Sequence, residues 1–324
     1  MRKVALLAAS ALLVPGVAFA DGEEMSPMSP MFVGVSVGWT QMDMPEHQNG
    51  AITFNFGGGF EPLTEQADVD GVTYAIGIGK DLTSGWRVGA YARFFDGEGS
   101  SASSFAIPNA TPFRRGTLDG TLQLAGAFGG AATATHTLDV HVNDYAVAVS
   151  AGHGLGSMLR GDLIVSYGAT ETEYQNAALD TLNELFTTNT AFTSNTTEIA
   201  GRLSAAIPLS DDFSLSLGGS VGWGLRNIDM NARQRFTTGA IVTSDSSIGQ
   251  DEDVDGLIGR LDAAFGYNLA RSTTIALTAN YVYDDMVPVY LAPVYPPAGV
   301  GTAATFTTEG QSSMTYGLRV IGRF

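Results

Sequence analysis

The sequence is poor in several residue types that common protein classes require. None of its 324 residues is cysteine, which excludes disulfides, a thiol nucleophile and thiolate metal sites. Only 16 residues are basic against 33 acidic ones, and the net charge of −17 argues against a nucleic-acid partner. No stretch approaches the roughly 20 consecutive apolar residues that a transmembrane helix needs. If the chain crosses a membrane, it must therefore do so as a β-barrel.

The N-terminus has the pattern of an export signal. Two basic residues precede a short apolar run at residues 4–14, and residues 18–20 read A-F-A, which is a cleavage motif of the A-x-A type. We predict that residues 1–20 are a signal peptide, that the mature chain begins at Asp21, and that residues 21–30 form a short periplasmic segment. Removal of the leader, which carries two basic and no acidic residues, leaves a net charge of −19.

Ten segments of the chain alternate apolar and polar side chains with period two, as transmembrane β-strands do. In the first segment, Val35, Val37 and Trp39 alternate with small or polar residues. Successive strand side chains point to opposite faces, so each segment has one apolar and one polar face. The segments are residues 31–40, 72–80, 86–95, 145–153, 159–170, 197–207, 213–226, 257–267, 273–283 and 314–324.

The connections between these segments alternate in length. Four short turns alternate with five long connections, at residues 41–71, 96–144, 171–196, 227–256 and 284–313. Short periplasmic turns, long extracellular loops and an even strand number are typical of bacterial barrels. We therefore predict an all-β fold, a transmembrane antiparallel up-and-down β-barrel of ten strands over residues 31–324. Twelve strands is the alternative, because residues 96–144 have room for two more, and residues 118–128 have a hairpin pattern.

The aromatic residues favour a membrane barrel over a soluble β-sandwich. Alternation also fits a half-buried soluble sheet, but here the tryptophans and several tyrosines fall on the apolar face near strand ends. Aromatic girdles at the two membrane surfaces have this arrangement. The predicted girdle consists of Trp39, Trp86, Trp223, Tyr167, Tyr267, Tyr281 and Tyr283, with Tyr74 on the same face.

The last segment ends the chain on an aromatic residue, with alternating apolar positions before it. This strand resembles the closing strand of Gram-negative outer-membrane β-barrel proteins, in which such positions and a terminal Phe form the assembly signal. The resemblance covers residues 31–324. It implies an outer-membrane location, contact with lipid and lipopolysaccharide, and recognition by the barrel-assembly machinery. The implied assembly signal is Tyr316, Leu318, Val320 and Phe324.

The polar faces of the ten segments carry eight of the chain's arginines and only three carboxylates. In one interpretation the arginines are struts that pair with these acids or with Tyr91 and Asn280, because buried charges are tolerated only with partners. In the other, unpaired guanidinium groups line a narrow path that prefers anions. The predicted lumen charges are Arg87, Arg93, Arg160, Asp162, Glu198, Arg202, Arg226, Arg260, Asp262, Arg319 and Arg323.

Two motifs at the predicted extracellular rim resemble, in part, the catalytic groups of the omptin proteases. Omptins are ten-stranded barrels that activate water with paired carboxylates and an Asp-His pair. Asp68 and Asp70 lie near the extracellular end of the second segment, and Asp139 and His141 lie above the fourth. The adjacent Asp-His dipeptide of that family is absent, and we predict that Asp139 and His141 share an outward-facing surface without catalytic geometry. The four histidines are scattered and no serine stands out as a nucleophile, so the sequence gives little support to a Ser-His site of the lipid-modifying type.

Two of the predicted loops contain patterns that could suggest a metal site or a helix. The acidic residues 251–256 lack the ligand spacing of a calcium loop, so we predict a solvated loop and no metal site. Residues 177–186 show helical spacing of Leu179, Leu182 and Phe186 behind a capping Asn176, and we predict a short helix over the barrel mouth.

The sequence as a whole predicts a non-enzymatic outer-membrane barrel without a cofactor. The leading hypothesis is a narrow, arginine-lined, porin-like channel for passive passage of small solutes or ions. The alternative is a closed structural or adhesin-like barrel that acts through its extracellular loops. A rim hydrolase, omptin-like or lipid-modifying, is the third hypothesis.

Overall fold

The computed structural model describes residues 31–82, 85–181, 184–270, 272–296 and 301–324. The predicted signal peptide and the segment at residues 21–30 lie outside this range. In the described residues, no helix is long and apolar enough to cross a bilayer. The strands are β1 Met31–Met42, β2 His47–Phe54, β3 Glu61–Glu65, β4 Val69–Asp81, β5 Trp86–Ile107, β6 Pro112–Gly116, β7 Leu122–Ala127, β8 Ala132–Gly154, β9 Leu159–Asp180, β10 Glu184–Pro208, β11 Phe213–Thr238, β12 Ile241–Ala270, β13 Thr273–Leu291 and β14 Thr305–Arg323.

Ten strands close into an antiparallel barrel in the order β1, β4, β5, β8, β9, β10, β11, β12, β13 and β14. The ring closes where β14 pairs with β1, for example at Val35 and Val320. The predicted number of ten membrane strands is confirmed. The alternative of twelve is wrong, because β2, β3, β6 and β7 form a separate four-stranded sheet. The hairpin predicted at residues 118–128 corresponds to β6 and β7 and begins earlier, at Pro112.

Each predicted segment lies within one barrel strand, except that the last one extends past β14 by Phe324, and several strands are much longer than predicted. β9 has 22 residues and β10 has 25. A strand that only crosses a membrane needs about 9–11 residues. These strands therefore continue far above the bilayer, and much of the sequence predicted as loop is paired β-structure.

The helix predicted at residues 177–186 is wrong. Residues up to Asp180 belong to β9, and β10 begins at Glu184. Ala178 and Phe186 are buried in the barrel interior, whereas Leu179 points outwards and is 49% exposed. Leu179 and Phe186 thus come from the two arms of a strand-turn-strand unit, in which pairing with neighbouring strands decides the structure, and Leu182 lies outside the described residues.

The long barrel strands reverse the polarity of their two faces along their length. In the ten segments predicted from sequence, which we call the membrane half, apolar side chains point outwards, and Ile199, Leu203 and Leu261 are 58%, 63% and 62% exposed. In the strand extensions beyond them, which we call the extracellular half, apolar side chains point inwards. There Leu138 and Ile228 are fully buried. The membrane half is thus built to meet lipid, and the extracellular half has a core like that of a soluble protein.

The connection between β1 and β4 folds into the extracellular mouth of the barrel. We call residues 43–68 the plug. Its strand β2 contacts β9, β10, β11 and β13 and pairs at its edges with β3 and β6. Met44, Ile52 and Phe54 are each at most 2% exposed and pack into two apolar clusters with side chains of the barrel wall. The plug therefore fills the interior of the extracellular half.

Candidate functional site

Two buried ion pairs cross the lumen of the membrane half, where inward-facing parity places their side chains. Arg202 on β10 donates through Nη2 to both carboxylate oxygens of Asp262 on β12, each at 2.9 Å. In the opposite direction, Arg260 on β12 pairs with Glu198 on β10. Both pairs pass over β11, and the side chains of Arg202 and Asp262 are only 2% and 5% exposed. Such charge-assisted bonds hold three adjacent strands together.

Three further ion pairs lie around the lumen. They are Arg87 with Asp81, Arg93 with Asp144, and Arg226 with Asp284. Arg226 also donates through Nη1 to the carbonyl oxygen of Met286 at 2.8 Å. At this place the pairing of β13 shifts register, and β13 separates from β12. Arg226 thus binds β13 at the position where the pairing of β13 with β12 ends.

The other predicted lumen charges are arranged differently. Arg160, Asp162 and Arg319 each carry a buried polar atom that has no hydrogen-bond partner in the described part of the chain. The side chain of Arg319 is almost completely buried. Arg323 lies at the periplasmic end of β14, where its backbone N–H donates to the carbonyl oxygen of Ser272 at 2.8 Å.

A cavity of about 140 Å³ lies in the barrel between the plug and the ion pairs. Met44 of the plug and Met42 at the end of β1 belong to its lining. The pairs formed by Arg93, Arg226 and Arg260 also line it, together with hydroxyl groups of serine and threonine. At roughly 30 Å³ of liquid volume per water, this cavity is large enough for several water molecules.

A polar network fixes the plug to the barrel wall. The Nδ2 group of Asn176 on β9 donates to the carbonyl oxygen of His47 at 3.3 Å, and its Oδ1 accepts from Asn49 at 3.0 Å. The same Oδ1 lies 2.7 Å from Nε2 of His136, whose Nδ1 lies 3.5 Å from the carboxylate of Glu65. Asn176 is fully buried. It therefore joins two plug residues to β8 and β9 at one point.

The imidazole of His47 lies between two tyrosine rings. Its centroid is 4.7 Å from that of Tyr174 and 5.1 Å from that of Tyr290, and both contacts are stacked. Burial lowers the pKa of His47 to about 3, with a further contribution from His136. Burial also lowers the pKa of His136, although Asn176 and Glu65 act in the opposite direction. Both imidazoles are therefore neutral at physiological pH.

The residues compared with omptin catalytic groups lie on the outer surface of the extracellular half. Asp139 and His141 both point outwards, as predicted, and Nε2 of His141 lies 3.0 Å from the carboxylate of Asp96 on β5. Asp68 and Asp70 are also exposed. The side chains of His141 and Asp96 are 41% and 55% exposed, so this pair is open to water.

The acidic residues 251–256 form part of β12, so the predicted loop is a strand. In the described ranges, no group of three acidic, histidine or cysteine side chains is arranged to hold a metal ion. Strand pairing joins four outward-facing acids into one row across the wall, with Asn143 and Thr193 between them. We call Asp96, Glu171, Asp229 and Asp251 the acidic row.

The predicted girdle residues and the predicted assembly signal all lie on the outside of the barrel. Trp86 and Tyr267 stand beside short turns, at the periplasmic ends of β5 and β12, whereas Trp39 and Tyr167 lie towards the extracellular half. The exposed fractions of the girdle side chains run from 37% for Tyr283 to 55% for Trp223. Tyr316, Leu318 and Val320 point outwards from β14, and Phe324 is 83% exposed.

Three acidic partners of lumen arginines were missed by the sequence reasoning. Asp81, Asp144 and Asp284 each lie one residue beyond the end of a predicted segment, at residues 80, 145 and 283 respectively. Each has the inward parity of its strand. The available signal was therefore the parity itself, continued by one residue past the assumed strand end.

A closed ring of strands with an apolar outer band, aromatic residues at both edges of that band and a charged interior defines a transmembrane β-barrel. The chain folds into a ten-stranded barrel of this class.

No family model matches the sequence, and no curated protein matches it either. Among solved structures, it is similar to the outer-membrane protease OmpT from Escherichia coli, with 9% identity, a TM-score of 0.40, and coverage of 94% of this chain and 100% of that one. It is also similar to the translocator domain of the autotransporter NalP from Neisseria meningitidis, with 11% identity, a TM-score of 0.39, and coverage of 90% of this chain and 88% of that one. An outer-membrane channel from Pseudomonas putida F1 is similar too, with 11% identity, a TM-score of 0.35, and coverage of 97% of this chain and 100% of that one. These similarities are too low to support any statement on function, and the assignment rests on the chain's own geometry.

Proposed function

We propose that the protein is a closed outer-membrane barrel that acts through the outer surface of its extracellular half. The observation that carries this proposal is the plug, whose strand β2 lies inside the ring and packs against four wall strands. The ion pairs of Arg202 with Asp262 and of Arg260 with Glu198 cross the lumen below it. A barrel filled in this way is a rigid support for an extracellular β-domain.

The chemistry of the outer surface indicates the class of partner. The acidic row places four carboxylates on one line across the wall, just above the apolar band, and Asp229 and Asp251 are direct neighbours in it. Like charges held this close favour a cationic partner, because a polycation relieves their mutual repulsion. We therefore expect the surface to bind polycations, and to lose them at high salt because exposed charges are screened.

Surface binding is tested with the mature protein in lipid nanodiscs and immobilised poly-lysine as the probe. We expect binding that is lost at 0.5 M salt, because the Debye length shortens with salt, to about 3 Å near 1 M, and exposed charges are then screened. The triple variant Glu171→Gln, Asp229→Asn, Asp251→Asn should bind at least several-fold more weakly. A matched control replaces the exposed acids Glu61, Glu309 and Asp43 instead. Equal loss in both triple variants would remove the acidic row from the proposal.

A narrow arginine-lined channel is the second candidate function, and the cavity of about 140 Å³ below the plug favours it. Single-channel recording of the refolded mature chain in a planar bilayer separates the two candidates. The closed barrel should give no discrete conductance steps. Steps with anion preference that weaken in Arg202→Ala or Arg260→Ala would establish the channel instead.

A further inference from the structure

A second, smaller cavity lies in the membrane half, close to the periplasmic end. Its volume is about 30 Å³, which is the space of about one water molecule in the liquid. Phe32 on β1 belongs to the lining, and the guanidinium of Arg87 lies 4.9 Å from the centre of the Phe32 ring. The polar part of the lining comes from β5, β8, β9 and β10.

Four residues that line this cavity each carry a buried polar atom without a hydrogen-bond partner among the described residues. Three of the atoms are donors, namely Tyr91 Oη, Arg160 Nη1 and Arg202 Nε. The fourth, Asp162 Oδ2, is an acceptor. Buried polar atoms in proteins nearly always have partners, because an unpaired one costs about 1–3 kcal/mol. Three donors from three different strands at one small cavity are therefore arranged for a ligand that accepts hydrogen bonds.

The charges around the cavity leave a positive excess. Arg87 and Arg202 are neutralised by Asp81 and Asp262. Arg160 and Asp162 balance each other on β9. Arg319 then remains; it lies outside the cavity lining but interacts electrostatically with Arg202, which belongs to that lining, and its side chain is 2% exposed. A water molecule would satisfy the donors but leave this excess in a region of low dielectric, whereas an anion with one charge cancels it.

We propose that this cavity binds one small monovalent anion of the size and charge of chloride, through the donors of Tyr91, Arg160 and Arg202. The small volume favours a monatomic anion over sulfate, phosphate and organic carboxylates. The anion joins β5, β9 and β10 and so completes the layer of ion pairs that fills the lumen. This inference does not depend on which partner the extracellular surface binds or on whether the barrel conducts.

The stability of the folded barrel in different salts tests the site. The mature protein is refolded into lipid vesicles and unfolded with urea at constant ionic strength, in sodium chloride, sodium bromide or sodium gluconate. A ligand that binds only the folded state raises the ratio of folded to unfolded protein by a factor of about 1 + [L]/Kd. We expect chloride and bromide to raise this ratio at least tenfold relative to gluconate, whose anion is too large. Equal stability in all three salts would overturn the proposal.

Variants localise the effect. Tyr91→Phe removes a hydroxyl that has no partner among the described residues, so in gluconate it should be at least as stable as the unmodified protein, and its response to chloride should be reduced several-fold. Arg160→Gln should reduce the response further. The control is Tyr281→Phe, which removes a hydroxyl on the lipid-facing surface and should leave the response unchanged.

Diffraction from crystals grown in bromide gives the position directly. The expected result is an anomalous peak between Tyr91, Arg160 and Arg202. A chloride response that persists unchanged in Tyr91→Phe and Arg160→Gln, or bromide peaks found only on the outer surface, would show that the cavity is not the site.

Discussion

The Nε2 atom of His47 lies 3.1 Å from the hydroxyl oxygen of Thr190, so the plug forms a side-chain hydrogen bond with β10 of the barrel wall. His47 is almost completely buried. Around it stand the rings of Tyr174 and Tyr290, and the nearest titratable groups beyond them are His136 and, through it, Glu65. Docking of the plug therefore requires a neutral imidazole in a site from which water is largely excluded.

The first prediction is that the plug docks less firmly as the pH falls. The pKa of His47 is lowered to about 3 in the docked plug, against about 6.5 for a solvated imidazole. A lowered pKa means that the undocked form binds more protons below pH 6.5. Docking is thus fully stable above pH 6.5 and weakens down to about pH 3. The equilibrium for opening should rise about tenfold per pH unit for each such histidine.

Hydrogen exchange of the β2 amides between pH 7 and pH 4.5, corrected for intrinsic rates, measures this opening. His47→Phe keeps an aromatic ring between the two tyrosines and removes the titrating group, so its exchange should depend less on pH. If the unmodified protein and the variant have the same pH dependence, His47 does not control docking.

The second prediction concerns the ion pair of Arg202 and Asp262. Its side chains are 2% and 5% exposed, so Asp262→Ala leaves a buried charge without its partner. We expect a loss of about 3–5 kcal/mol in the free energy of unfolding. The double variant Arg202→Met, Asp262→Leu should lose less than the single variant, because no unpaired charge remains. Urea unfolding in vesicles measures both values.

An exposed ion pair supplies the control for the buried pair of Arg202 and Asp262. Arg233 and Asp245 lie 2.6 Å apart on the outside of the extracellular half, with side chains 63% and 36% exposed. Water screens such a pair, so Asp245→Ala should leave the free energy of unfolding unchanged within error. A similar loss at both sites would mean that burial does not determine the strength of the lumen pairs.

The third prediction tests the lipid-facing register. Leu217 on β11 points outwards in the membrane half and is 43% exposed. Leu217→Arg should cost about 2–4 kcal/mol near the bilayer midplane. Asn231→Arg lies on the same face of the same strand but in the extracellular half, and it should be tolerated. Equal costs at the two positions, measured by unfolding in vesicles, would contradict the assigned membrane half.

The fourth prediction concerns the closure of the ring. Gly317 on β14 pairs with Gly38 on β1, and a Cβ atom added at Gly317 would lie 2.6 Å from the carbonyl oxygen of Val37. Gly317→Ala should therefore strain the closing pair and lower the yield of folded barrel in a refolding assay. Gly259→Ala is the control, because no atom lies within 4 Å of a Cβ added there. Equal yields for the two variants would show that the pair of β1 and β14 accommodates the added methyl group without strain.

The sequence predicts the membrane half well because lipid imposes one simple rule on it. Every strand must alternate, with apolar residues outwards, so parity alone is sufficient to locate the ten strands. Above the membrane the rule is reversed, as at Leu138 and Ile228, and inward apolar residues there were interpreted as loops. The failed helix has the same origin, because Leu179 and Phe186 belong to opposite arms of a hairpin and only their partners show this.

The sequence predicted the arginines of the charged lumen but not most of their acidic partners. The inward arginines follow from parity, but their partners depend on strand ends and on which strands face each other across the lumen. Asp144, for example, lies beside Arg93 only because β5 pairs with β8, past the intervening four-stranded sheet. Such a contact cannot be obtained from the pattern of a single strand.

The reversal of polarity within single strands fixes how deeply the protein sits in its bilayer. On β11, Leu225 faces outwards with 62% exposure. Four residues further along the strand, and on the same outward face, lies the acidic Asp229. Since a strand rises about 3.4 Å per residue, a small displacement along the membrane normal would bring carboxylates into hydrocarbon or leucines into water. A membrane of unsuitable thickness must then stretch or thin around the barrel, at a cost that grows with each ångström of mismatch. The protein thereby favours bilayer regions whose thickness matches its own apolar band.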